Sequence, residues 1–272
     1  MIIRGNNLIG GIFSEGGQLT LEGNNDFTAP IRSLTGTITI TGSNTWKGGN
    51  TFLEPLSFSG GRLLLNSATA LGTGGLYLTM GSAAELALAG ISQTLRLFTS
   101  ATNSVISNDR APDNFTGFTP VFFDMDRNQT FAGIIKDGRS ISQTVITPIK
   151  LIKQGPATLN LTNSDNLFSA GIEILEGAIN VTTASNVGSG SALGIVSIDD
   201  PSLLVIDKSV LSFTPADVQS TNRSFTMGAG PNGATLVANG AIQAATIRIG
   251  QELRDAVSGT TSISTPIAFK DS

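Results

Sequence analysis

The chain contains neither cysteine nor histidine. The first absence removes disulfides, thiolate metal sites and cysteine nucleophiles together. The second removes the Ser-His-Asp triad, His-ligated zinc and any imidazole base. Charge is scarce too: Asp, Glu, Lys and Arg make up 13% of 272 residues, about half the usual share. The net charge is −4 and no Lys/Arg cluster stands out. A groove tracking nucleic-acid phosphates is therefore not expected, nor attraction to an anionic membrane surface. No apolar run approaches the length of a transmembrane helix, so no membrane insertion by this segment is expected. The opening Met1-Ile2-Ile3-Arg4-Gly5-Asn6-Asn7 does not read as a signal peptide, because its apolar stretch is short and Gly10-Gly11 breaks it.

What is present is glycine (32 residues) and a 40% hydrophobic share, enough for a sizeable core. The apolar residues alternate with polar ones or form short aliphatic runs, as in Leu76-Tyr77-Leu78, Glu85-Leu86-Ala87-Leu88 and Leu203-Leu204-Val205-Ile206. Gly, Asn, Ser, Asp or Pro bound each run, which is the pattern of strands and turns. Helical periodicity is nearly missing; a single turn at Pro215-Ala216-Asp217-Val218-Gln219 and another at residues 251–257 are the best candidates. Closely spaced strands without intervening helices exclude a doubly wound α/β sheet and leave a sandwich, a barrel, a propeller or a solenoid.

A repeat decides among these. Asn-x-aromatic occurs as Asn25-Asp26-Phe27, Asn44-Thr45-Trp46 and Asn166-Leu167-Phe168, each after a short alternating strand: Gln18-Leu19-Thr20-Leu21, Thr37-Ile38-Thr39-Ile40 and Thr158-Leu159-Asn160-Leu161. A glycine-led strand follows the second and third copies, Gly61-Arg62-Leu63-Leu64-Leu65 and Gly177-Ala178-Ile179-Asn180-Val181. Self-similarity of this kind marks stacked architectures and predicts one all-β parallel β-solenoid domain over residues 1–272. Its approximate units are residues 17–35, 36–99 and 129–210, with a less regular insertion at 100–128, a protruding loop near 108–119, and terminal turns at 211–272. In such a stack, strands lie about 4.8 Å apart and like residues meet from layer to layer. Asn25, Asn44 and Asn166 are expected as corner residues whose amides ladder, and Phe27, Trp46 and Phe168 as packed rings, not as ligand contacts.

The run Gly36-Thr37-Ile38-Thr39-Ile40-Thr41-Gly42-Ser43-Asn44-Thr45-Trp46-Lys47-Gly48-Gly49 resembles the passenger-associated transport repeat of bacterial autotransporters. So does Leu151-Ile152-Lys153-Gln154-Gly155-Pro156-Ala157-Thr158-Leu159-Asn160-Leu161, with Gln129-Thr130-Phe131-Ala132-Gly133-Ile134-Ile135 as the strand leading in. Ala70-Leu71-Gly72-Thr73-Gly74 and Thr221-Asn222-Arg223-Ser224-Phe225-Thr226-Met227-Gly228 resemble the linking pieces. The resemblance implies a right-handed parallel β-helix exposed outside a bacterial cell. The end, Pro266-Ile267-Ala268-Phe269-Lys270-Asp271-Ser272, does not read as the closing strand of that family's membrane barrel.

Two functions of different class follow. The first is a structural or adhesive surface, meeting cell-surface glycans or copies of itself, end to end or laterally, with no cofactor; a passive spacer within a larger surface protein is its bland form. The second is a polysaccharide-cleaving β-helix enzyme. Its candidate residues are Asp124 and Asp126 in Asp124-Met125-Asp126-Arg127, which on a strand would share one face, with Arg127 opposite, as a calcium site or acid–base pair. A solvated strand edge is the plainer reading of those carboxylates, and the favoured expectation has no catalytic residues.

Overall fold

A computed structural model describes residues 1–10, 12–14, 18–22, 25–27, 31–33, 37–40, 44–46, 51–52, 56–65, 77–214, 219–227, 234–238, 242–244 and 247–249. The protein is all-β, and among the described residues the helical element is one 3₁₀ turn, Pro201–Leu203. Residues 215–218 of the first expected helical turn, and all of 251–257, lie outside the described residues; Gln219 opens the strand Gln219–Thr221. No helix among the described residues is long and apolar enough to cross a membrane. The chain groups into two compact units, 1–121 with 131–149, and 122–130 with 150–272.

In the first unit, successive chain segments pair in parallel. Ile2–Arg4 lies on Gln18–Glu22, that strand on Thr37–Ile40, and that on Leu56–Leu65, which in turn pairs with Tyr77–Ala87. Ile2 is opposite Thr20 and Gln18 opposite Thr37, offsets of 18 and 19 residues. The offset is 22 where Leu56 meets Leu78 and 20 where Tyr77 meets Leu97. Residues 36–99 thus hold more than one turn of the pattern. The offset stretches to 29 where Val105 meets Ile134. Leu63, Leu86, Ile106 and Ile135 form one continuous rank across four strands, and each is fully buried. Phe98 and Phe131 meet edge to face with centroids 5.9 Å apart, a favourable aromatic geometry.

Alternation explains these strands: every second residue enters the core, and β-branched or polar residues take the other side. The exception to parallel pairing among those described here is a hairpin, Gly138–Arg139 against Ile146–Thr147. It packs on the segment expected to protrude. Residues 112–114 and 116–118 of that segment are exposed, whereas Asn108 and Thr119 at its ends are buried. Asn108 anchors it: Oδ1 accepts from Gly90 N, while Nδ2 donates to Thr119 Oγ1 and to the Thr147 and Pro148 carbonyls.

The second unit carries two parallel series. One runs Ile149–Gln154, Ile172–Ile174, Leu204–Ile206, Phe225–Met227 and Ile247–Ile249. The other runs Thr158–Leu161, Gly177–Val181, Ser209–Phe213 and Thr235–Ala238. Leu159, Ile179, Leu211 and Leu236 stack as a buried rank. On the other side of the same strands Asn180 Nδ2 donates to Asn160 Oδ1 at 3.1 Å, and Thr214 Oγ1 donates to Asn180 Oδ1 at 3.0 Å. Here the offset is 20 to 25 between neighbours, except where Ile172 meets Leu204 and Gly177 meets Ser209, each 32 residues apart. The extra length is residues 182–203.

Candidate functional site

The signature residues divide into two arrangements. Asn25–Phe27 and Asn44–Trp46 are strands in mutual register, with Asn25 opposite Asn44 and Phe27 opposite Trp46. They are not the corner turns that asparagine's turn preference suggests. Asn25 is 2% exposed, yet its Oδ1 accepts from Asn7 Nδ2 at 2.7 Å, so stacking satisfies a buried amide within a strand. Asn7-Leu8-Ile9 is a further in-register copy that the sequence hides, because isoleucine stands where the aromatic would be. The side chains of Phe27, Asn44 and Trp46 lie outside the described residues.

The third copy is built differently. Asn166 and Phe168 are both fully buried, beyond the end of Thr158–Leu161. Asn166 Nδ2 donates to the Asn163 and Ala192 carbonyls, and the Phe168 carbonyl accepts from Ile195 N at 2.9 Å. Gly194 sits so close that a Cβ there would lie 2.4 Å from the Phe168 carbonyl oxygen. Here asparagine and phenylalanine fasten a long connection instead of continuing a ladder.

Asp124 is half-buried at the end of the strand Thr119–Asp124, whereas Asp126 is exposed in the bend that follows, with buried Met125 between them. The strand expected to carry both carboxylates stops before Asp126, and Arg127 is exposed with it in the same bend instead of pointing to an opposite face. Asp124 acts electrostatically on Lys153. Among the described residues no group of three or more Asp or Glu is placed to hold a metal ion.

Two cations that the sequence reading passed over are the most unusual groups in the second unit. Lys153 shares a rank with Ile174 and Ile206, both fully buried, and is itself fully buried. Its Nζ donates to the carbonyls of Gln154 (2.5 Å), Gly155 (2.6 Å) and Glu176 (3.2 Å). Burial pulls the amine down to about 8, with the charges of Glu176 and Asp124 opposing that shift. The alternation Ile149-Lys150-Leu151-Ile152-Lys153 carried the signal, since period two sets Lys153 on the face of Ile149 and Leu151.

Arg223 is 4% exposed. Its Nε donates to Ser185 O, Nη1 to Leu193 O, and Nη2 to both Ser189 O and Gly194 O, at 2.7 to 3.1 Å. Burial lowers the guanidinium to about 10. Its neighbours grip the same connection. Asn222 N donates to Asn186 Oδ1, Val187 N donates to Asn222 Oδ1, and Thr221 Oγ1 donates to Ser185 O. Ser224 donates twice to Asp199, from its amide and its hydroxyl. Beside these groups lies a small hollow of about 10 Å³, room for about one water, where Ile172, Leu193, Val196, Leu203 and Leu204 face Asp199, Arg223 and Ser224. Residues 221–224, the start of one linking piece singled out in the sequence, meet residues 185–199 here. No protein-family model, no curated protein and no solved structure matches the chain.

Proposed function

We propose that this chain is an extracellular β-solenoid, right-handed, with a structural or adhesive role on a bacterial surface. It would present the outer sides of its stacked strands, and its loops, to cell-surface glycans or to further copies of itself. The observation that carries this reading is register: segments 18 to 23 residues apart pair in parallel through long stretches of both units. Polar ladders follow the same steps, as in Asn160–Asn180 and in Thr99 Oγ1 donating to Thr79 Oγ1 at 3.3 Å. Repetition of like groups at strand spacing suits an extended partner better than a small substrate.

Electron microscopy of the purified chain, together with binding to immobilised glycans and to whole bacterial cells, tests the reading. Elongated particles that retain glycan or cell-surface binding are expected. Two face-to-face sheets in the density would sink the solenoid. Cleavage of an acidic polysaccharide, lost in Asp124→Asn, would replace the structural role with an enzymatic one.

A further inference from the structure

Residues 182–203 leave the framework after Gly177–Val181 and rejoin it at Leu204–Ile206. Their fastenings on one side come from a short run, residues 221–226. Arg223 takes four backbone carbonyls of the excursion, Asn222 exchanges a reciprocal pair with Asn186 and Val187, and Thr226 Oγ1 donates to Pro201 O. Loosening Arg223 frees four carbonyls together, and release on the other side breaks the bonds of Asn166 Nδ2 to Ala192 O and of Ile195 N to Phe168 O. The closed arrangement also holds a guanidinium away from water with carbonyls, not a carboxylate, as its hydrogen-bond partners, a costly way to keep a charge. Bending points are present. Gly188 and Gly194 have φ of +83° and +76°, and a Cβ at Gly188 would meet nothing within 4 Å. Below lies the hollow walled by Ile172, Leu193, Val196, Leu203 and Leu204, and Ile198 at its rim is 59% exposed.

We propose that residues 183–200 form a strap that opens as one piece, that Arg223 and Asn222 are its latch, and that opening uncovers the apolar side chains of Ile172, Leu203 and Leu204 while the strands beneath stay paired. The strap amides report this directly. Val187 N bonds to Asn222 Oδ1 and Ile195 N to Phe168 O, both outside the strap.

Native-state hydrogen exchange of the full chain is the test. The Val187 and Ile195 amides are expected to share one protection level, lower than that of the amides in Thr158–Leu161 and Gly177–Val181. Arg223→Lys and Asn222→Ala are each expected to speed strap exchange on the order of tenfold, the worth of about one hydrogen bond, with framework amides unchanged. If Arg223→Lys fails to fold, Asn222→Ala carries the test, since Asn222 is exposed and loses a single side-chain acceptor. The native chain has no cysteine, so Leu204→Cys adds a clean second probe. Its thiol is expected to react slowly alone and faster when combined with Asn222→Ala. Strap amides that exchange only in step with the framework, or variants that speed both alike, would overturn the proposal.

Discussion

Replacing Lys153 with alanine and with methionine separates two contributions that the native side chain combines. Lys153→Ala removes the stem from a buried aliphatic rank, a truncation worth ~2–5 kcal/mol. It also withdraws the donor from the Gly155 and Glu176 carbonyls, at about 1–3 kcal/mol for each acceptor left unsatisfied. The Gln154 carbonyl keeps a second partner, Met125 N at 3.2 Å. Relief of the buried charge returns several kcal/mol, which leaves a net loss of roughly 3 kcal/mol. Lys153→Met leaves the same two carbonyls unpaired, but it fills the rank beside Ile174 and Ile206 and sheds the charge, whose relief offsets that cost, so it should stay within about 1.5 kcal/mol of the native chain. Urea denaturation followed by circular dichroism distinguishes them, with the alanine midpoint falling by about 1–3 M for a slope near 1–3 kcal/mol/M. The pH dependence is a second signature. The folded amine titrates near 8 and an ordinary lysine at 10.5, so between those values the unfolded chain binds more protons. The native protein should therefore gain stability relative to Lys153→Met as pH rises through that window, at no more than ~1.4 kcal/mol per pH unit. An alanine variant as stable as the methionine one, or parallel pH curves for native and Lys153→Met, would refute the account of a buried, carbonyl-held ammonium.

Three other perturbations test the packing. Gly194→Ala meets both a positive φ and the Phe168 carbonyl at 2.4 Å, while Gly188→Ala meets only the φ; thermal melting should show the first losing well over 2 kcal/mol and the second about 1–2. Asn108→Ala removes four hydrogen bonds from a fully buried side chain, and a loss of about 2–4 kcal/mol is expected, with faster limited proteolysis within residues 109–118. Asn25→Leu keeps the branching of the side chain but removes the buried acceptor of the Asn7 amide, which is left with the Arg4 carbonyl alone; a denaturant midpoint that does not fall would argue against the amide stack.

The strands before each signature copy, Gln18–Glu22, Thr37–Ile40 and Thr158–Leu161, were legible because alternation and turn residues are local signals. The in-register meeting of Asn25 with Asn44 was readable from self-similarity alone. In the third copy Phe168 is the packed ring and Asn166 follows a turn, as the pattern predicts, but the partner of Asn166, the Ala192 carbonyl, lies many residues later and has no local signal. Lys153, Arg223 and Asn108 were passed over for one shared reason. Their partners are mostly backbone carbonyls and amides, which every residue has, so nothing in the letters of Ser185, Ser189 or Gly194 announces an arginine's grip. Asp124 and Asp126 drew notice as a pair, but strand length decided their fate, and strand ends are where letters speak least clearly.

The paired amides of Asn160 and Asn180 also bear on errors in assembly. A slip of one residue between their strands would turn the greasy side outward, a mistake that burial alone punishes. A slip of two keeps inside residues inside, and the aliphatic column tolerates it, since Leu159 would trade Ile179 for Val181. Asn160 would then face Ala178 or Thr182, and the matched amides would part. A polar pair at this step thus acts as an alignment key, penalising the one mistaken threading that hydrophobicity overlooks.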